Sequence, residues 1–104
     1  MIVNISAGEL KKMIDQDEEV LVIDVRTPEE VARGKILNSL NIPLDIIEQI
    51  SSSIPEKDKK IALYCLSGSR SKAAAEILEE NGYTNIYNLE HGLLEWRMKD
   101  FELV

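Results

Sequence analysis

The chain has a single cysteine, and it stands in the stretch Tyr64-Cys65-Leu66-Ser67-Gly68-Ser69-Arg70-Ser71. The apolar run Ile61-Ala62-Leu63-Tyr64 precedes it and the helical pattern Lys72-Ala73-Ala74-Ala75-Glu76-Ile77-Leu78 follows, so the thiol is expected where a buried strand ends and a helix begins. Turns of this kind aim successive backbone N–H groups at one point, and the helix that follows adds the positive end of its dipole. The thiolate is the nucleophilic form, yet a thiol of ordinary pKa, about 8.5, is only slightly ionised near neutrality. Each pH unit of depression requires about 1.4 kcal/mol of preferential anion stabilisation. One or two charge-assisted hydrogen bonds of roughly 1.5–3 kcal/mol each are therefore enough to bring a thiol into the neutral range. The N–H groups from Leu66 to Ser71 are the candidates to supply them. Gly68 lets the backbone turn tightly toward a ligand, and Ser67, Ser69 and Ser71 add hydroxyls. No general base is evident in the stretch.

The remaining elements are read by their ability to position this loop. Ile2-Val3-Asn4-Ile5 reads as a first strand, and Ser6-Ala7-Gly8-Glu9 has the form of a capping box that opens a helix of two to three turns. The acidic stretch Asp15–Glu19 is expected to be a solvated loop. Val20-Leu21-Val22-Ile23 is a continuous apolar run, the pattern of a parallel strand covered on both faces. Asp24 ends it, and Thr27-Pro28-Glu29-Glu30 gives a second capping box with proline at the first helical position, stopped by Gly34. Ile36–Ile42 reads as extended, Asp45–Ile50 returns to helical spacing, and Ser51-Ser52-Ser53 with Pro55 and the charged run to Lys60 reads as loop. The helix after Cys65 is expected to run to Glu80 or Asn81, with Gly82 as a left-handed cap. Asn85–Leu89 forms a last strand and Gly92 opens a last helix. Alternating strands and helices imply an α/β fold with a parallel sheet and helices on both faces, and a ligand site beyond the carboxyl ends of the strands.

At 104 residues the chain is expected to be a single domain, residues 1–104. One cysteine excludes an internal disulfide framework. The start of the chain carries no signal-like segment and no run approaches the ~20 apolar residues of a membrane span, so a soluble, cytoplasmic protein without a membrane partner is expected. The formal net charge of −7 argues against nucleic-acid binding. It does not exclude a small anionic ligand, because local N–H groups and one arginine can outweigh a diffuse, screened charge. One His and one Cys make no convincing metal site, and no cofactor is expected.

Tyr64-Cys65-x-x-Gly68-x-Arg70-Ser71, with Ala74-Ala75, Leu78, Gly82-Tyr83, Leu89, Gly92 and Trp96, resembles the second half of a rhodanese-homology domain, the single-domain sulfurtransferase family. Asp24-Val25-Arg26-x-Pro28-x-Glu30, Gly34-x-Ile36 and Asn41-Ile42-Pro43 resemble its first half. The resemblance covers nearly the whole chain and implies a three-layer rhodanese-like domain with a mostly parallel five-stranded sheet. It also implies a reaction: catalytic Cys65 takes a sulfane sulfur from thiosulfate or a related persulfide donor and passes it to a thiol or cyanide. Leu66, Ser67, Gly68, Ser69, Arg70 and Ser71 become the substrate-binding set, with Arg70 holding a donor oxyanion through a two-pronged contact. The implied partners are a small anionic sulfur donor and a thiol acceptor or sulfur-carrier protein, and a monomer is expected.

The sequence departs from the family pattern at Lys35, at Leu37-Asn38-Ser39, and at His91, which stands where the first glycine of a Gly-Gly pair is usual. Neither Lys35 nor the change at Leu37-Asn38-Ser39 touches the cradle; they bear on the local turn. Blander roles are assigned alongside: Arg26 to a structural tie with Asp24 or a nearby helix, His91 to a turn, and Trp96, Tyr83 and Tyr87 to packing. Two other functions compete. A non-enzymatic persulfide carrier or protein-binding module needs no turnover. A cysteine phosphatase is the least favoured, because its signature has five residues between Cys and Arg where this chain has four, Leu66 to Ser69.

Overall fold

The computed structural model describes residues 1–16 and 19–104. Strands β1 (Ile2–Ile5), β2 (Leu21–Asp24), β3 (Leu40–Asn41), β4 (Ile61–Tyr64) and β5 (Ile86–Leu89) form one sheet in the order β1-β5-β4-β2-β3. Every neighbouring pair is parallel. Strand β4 lies in the centre, and its four residues are all buried. Alternate residues of β4 point to opposite faces and feed two cores. Ile61, Leu63 and then Cys65 pack with Ala74, Ala75 and Leu78 of helix α4 (Ser69–Glu80) and with Ile47, Ile50 and Ile54. Ala62 and Tyr64 pack with Ala7 and Leu10 of α1 (Ala7–Asp15) and with Leu93 and Trp96 of α5 (Gly92–Met98). The layering is therefore helix, sheet, helix.

Both sequence capping boxes form. Ser6 Oγ accepts from the Glu9 N–H while the Glu9 carboxylate accepts from the Ser6 N–H. Thr27 and Glu30 do the same around α2 (Pro28–Val31), with Pro28 in the first turn. The expected loop at Asp15–Glu19 includes Asp17 and Glu18, which lie outside the described residues.

Three stretches differ from the sequence reading. Strand β2 includes Asp24, which is buried. Only Leu40–Asn41 of Ile36–Ile42 joins the sheet, because the Ile36 N–H donates to the Tyr64 hydroxyl at 3.1 Å and the chain then turns through Asn38 at φ 66°. The three serines at 51–53 belong to helix α3 (Ile50–Ser53), which continues a 3₁₀ segment at Leu44–Gln49. Buried Ile47, Ile50 and Ile54 explain the outcome: an apolar residue every third or fourth position anchors a helical turn whatever its exposed neighbours are.

The connection from β4 leads to β5 on one side, and that from β2 leads to β3 on the other. The carboxyl ends of β2 and β4 thus flank a crevice where the strand order reverses, the position at which parallel α/β sheets bind ligands.

Candidate active site

Cys65 leaves β4 on the α4 face, and its side chain is fully buried under its own loop. The sulfur accepts the N–H of Gly68 at 3.1 Å and that of Ser71 at 3.4 Å. The thiol contacts Ser71 Oγ at 3.6 Å, and that hydroxyl donates to the Gly68 carbonyl at 3.1 Å. Burial alone pushes the thiol pKa up. The N–H and side chain of Ser71 and the N–H groups of Gly68 and Ser67 outweigh it, and the net effect is a pKa below the ordinary value. Backbone N–H groups and the Ser71 side chain provide that stabilisation, and Arg70 and the thiolate attract each other electrostatically as well.

The loop is held in this shape from outside. The N–H groups of Leu93 and Leu94, free donors at the start of α5, bond the carbonyls of Cys65 at 3.0 Å and Leu66 at 3.1 Å. The Leu66 carbonyl and the Ser67 N–H share one trans peptide plane, so anchoring the carbonyl outward turns the N–H toward the sulfur. Two glycines make the contact possible. Gly68 has φ 102°, and a Cβ there would lie 1.9 Å from the Glu90 carbonyl oxygen. Gly92 has φ 58°, and its Cβ would lie 2.4 Å from the Leu66 carbonyl oxygen.

Arg70 takes a position the sequence does not reveal. Its two terminal nitrogens donate to the two carboxylate oxygens of Glu30, at 2.7 and 2.9 Å. The same Glu30 oxygen that receives Nη1 also accepts from the Thr27 N–H. Hydrogen bonding to Arg70, above all, pulls the Glu30 carboxyl down to about 2. The guanidinium expected to hold a donor oxyanion is thus engaged in a two-pronged pair with a protein carboxylate, and it ties α4 to α2.

Of the remaining loop residues, Gly68, Ser71 and the Ser67 N–H meet the sulfur, Leu66 anchors the loop to α5, and Ser69 opens α4 with an exposed side chain. Glu30 and Gly92 are the contributors that residue chemistry alone misses. The capping box and the motif Asp24-Val25-Arg26-x-Pro28-x-Glu30 both include Glu30, and neither signals its contact with Arg70. Arg26 has the structural role expected of it: its Nε and Nη2 bond the Asp24 carboxylate at 3.0 and 2.8 Å, and Nη2 also bonds the Gly34 carbonyl at 2.7 Å. His91 is an exposed residue in the turn before α5. Among the described residues, no cluster of His, Cys, Asp and Glu is arranged to hold a metal, and no helix is long and apolar enough to cross a membrane.

A fully parallel five-stranded sheet with a cysteine cradled between its central strand and the next helix defines a rhodanese-type domain. Comparison with known proteins agrees: residues 6–99 match the family described as "Rhodanese-like domain", and the chain belongs to that family. A protein of Allochromatium vinosum named "Sulfurtransferase" is 36% identical over 104 residues, covering 100% of this chain and 96% of that protein. The "tRNA uridine(34) hydroxylase" of Erwinia tasmaniensis is 35% identical over 97 residues, which span 88% of this chain and 27% of the hydroxylase. A crystal structure of a rhodanese-related protein from Thermoplasma volcanium superposes with a TM-score of 0.82 at 34% identity, covering 98% of this chain and 97% of that one.

Proposed function

We propose that the chain is a sulfurtransferase that moves a sulfane sulfur from thiosulfate or a persulfide donor to a thiol or cyanide through a persulfide on Cys65. The observation that carries this reading is the pair of N–H groups, from Gly68 and Ser71, aimed at the Cys65 sulfur at the start of a helix. They favour the thiolate that must attack and the thiolate that must later leave. In the first step the Cys65 thiolate attacks the outer sulfur of the donor. The donor S–S bond breaks, and sulfite or a thiolate departs with the electron pair. In the second step an acceptor thiolate or cyanide attacks the outer sulfur of the Cys65 persulfide, and the Cys65 thiolate is released. Neither step needs a metal or a redox cofactor, because each bond formed to sulfur replaces one broken.

Intact mass tests the reading. Reduced protein incubated with thiosulfate or a low-molecular-weight hydropersulfide gains one sulfur. Cyanide then removes it as thiocyanate, and Cys65→Ser gains none. Sulfur uptake by the serine variant would overturn the role of Cys65. A second reading, a persulfide carrier or recognition module, draws on the hydroxylase relative, in which a segment like this chain makes up 27% of a longer protein. Loading from a cysteine desulfurase with no loading from small donors would favour the carrier.

A further inference from the structure

A recess of about 330 Å³ is lined by Val25, Thr27, Pro43, Leu44, Asp45 and Arg70, at the carboxyl end of β2. Two of its lining residues are neighbours of Cys65 in the fold: the Val25 N–H bonds the carbonyl of Tyr64, the residue before the cysteine, at 3.0 Å, and Arg70 stands in the first turn of α4. Its wall is fixed: the Leu44 N–H bonds the Val25 carbonyl at 3.0 Å and joins the exits of β2 and β3. The surface inside is mainly apolar, and Val25, Pro43 and Leu44 are its apolar lining residues.

The charges on this wall are unequal. Arg70 supplies the lining's only formal positive charge, and both terminal nitrogens of its guanidinium are bonded to Glu30. Asp45 is exposed and has no ion-pair partner among the described residues. The wall therefore presents an apolar floor and one unbalanced negative charge. Thiosulfate, a dianion with no carbon, matches neither feature. An alkyl persulfide matches both: its carbon chain suits Val25, Pro43 and Leu44, and an ammonium at its far end suits Asp45.

We propose that this recess seats the carbon end of an alkyl hydropersulfide donor, and that Asp45 selects donors with a cationic or neutral far end over anionic ones, thiosulfate included. The inference rests on the sulfurtransferase reading and narrows its donor. Chemically the step is R–S–SH plus the Cys65 thiolate giving the Cys65 hydropersulfide and the thiolate RS⁻. The outer sulfur moves with its proton, and RS⁻ keeps the electron pair of the broken S–S bond. Asp45 touches the donor away from the reacting sulfur, so it is a specificity residue.

The test uses three donors that differ only at the far end: the hydropersulfides of 2-aminoethanethiol, 2-mercaptoethanol and 2-mercaptoethanesulfonate. Single-turnover loading of Cys65 is followed by intact mass for the wild type, Asp45→Asn and Asp45→Lys. Comparing each donor between variants cancels the different leaving tendencies of the three thiols, and the hydroxyl donor serves as the reference. Relative to it, Asp45→Asn slows the ammonium donor and speeds the sulfonate donor, each by about two- to fivefold, the range of one exposed charge pair. Asp45→Lys moves both further in the same sense and speeds loading from thiosulfate, and 0.5 M salt compresses all the differences. Donor ratios that stay the same in both variants overturn the inference. Failure of the wild type to load from any of the four donors overturns the sulfurtransferase reading beneath it.

Discussion

Arg70 and Glu30 meet end to end, each guanidinium nitrogen on its own carboxylate oxygen, across 40 residues of sequence. The pair couples the helix that follows the cysteine to the helix that follows β2, and Glu30 simultaneously closes the capping box of that second helix. Its geometry is two-pronged and partly shielded, which places it at the upper end of what such pairs contribute.

Glu30→Gln is therefore expected to lower stability to urea by about 1 kcal/mol, the scale of a good ion pair, since glutamine at this position can still close the capping box. Its pH dependence has a fixed sign. The Glu30 carboxyl titrates at about 2 in the folded protein against an ordinary 4.5, so its contribution is complete above about 4.5 and is lost as pH falls through about 2. The stability gap between wild type and Glu30→Gln should accordingly be constant from neutrality to about pH 5 and close below it. A gap that stays constant to pH 2 would show that the pair does not carry the effect.

The thiol gives a second test. Alkylation of Cys65 by iodoacetamide, followed against pH, should show a midpoint below that of a free thiol. Ser71→Ala removes a side-chain contact that favours the anion and should move the midpoint up, with the far-UV spectrum unchanged. A midpoint that stays put would mean that the backbone N–H groups suffice.

Three glycine-to-alanine variants separate backbone conformation from contact. Gly68, Gly82 and Gly92 all have positive φ, so each alanine costs about 1–2 kcal/mol for the left-handed region alone. A Cβ on Gly82 meets nothing within 4 Å, whereas those on Gly68 and Gly92 run into backbone carbonyls. Urea denaturation should therefore rank Gly82→Ala as clearly milder than the other two. Only Gly68→Ala and Gly92→Ala should also raise the Cys65 midpoint.

The buried pair of Asp24 and Arg26 makes the sharpest stability prediction. The two side chains are 0% and 3% exposed. Removing one partner leaves the other charged and uncompensated, so Arg26→Ala is expected to cost about 3–5 kcal/mol. A loss below about 1 kcal/mol, measured by urea denaturation, would contradict the buried geometry.

How far the sequence carried the reading depended on the range of the interaction. The capping boxes at Ser6 and Thr27 and the cysteine turn are local, and each forms as its residue types require. The structural role of Arg26 was also legible, since its partner stands two residues away. The partner of Arg70 was not, because nothing local to either residue signals a contact 40 positions distant. The helix at Ile50–Ser53 was hidden for a different reason. Three consecutive serines suggest a loop by propensity, and burial of Ile47, Ile50 and Ile54 overrides that preference.

The interlock of Gly68 with Glu90 and of Gly92 with Leu66 also bears on the order in which the molecule assembles. The cradle around Cys65 is completed by residues 90–94, which follow β5 and so come after most of the chain. Until that last segment docks, the loop carbonyls lack their anchors and the amides have no reason to converge. During refolding, then, the thiol should change from ordinary to acidic only when this segment docks on the loop. Its reactivity would serve as a clock for the closing event, one that far-UV signals from the earlier strands and helices do not register.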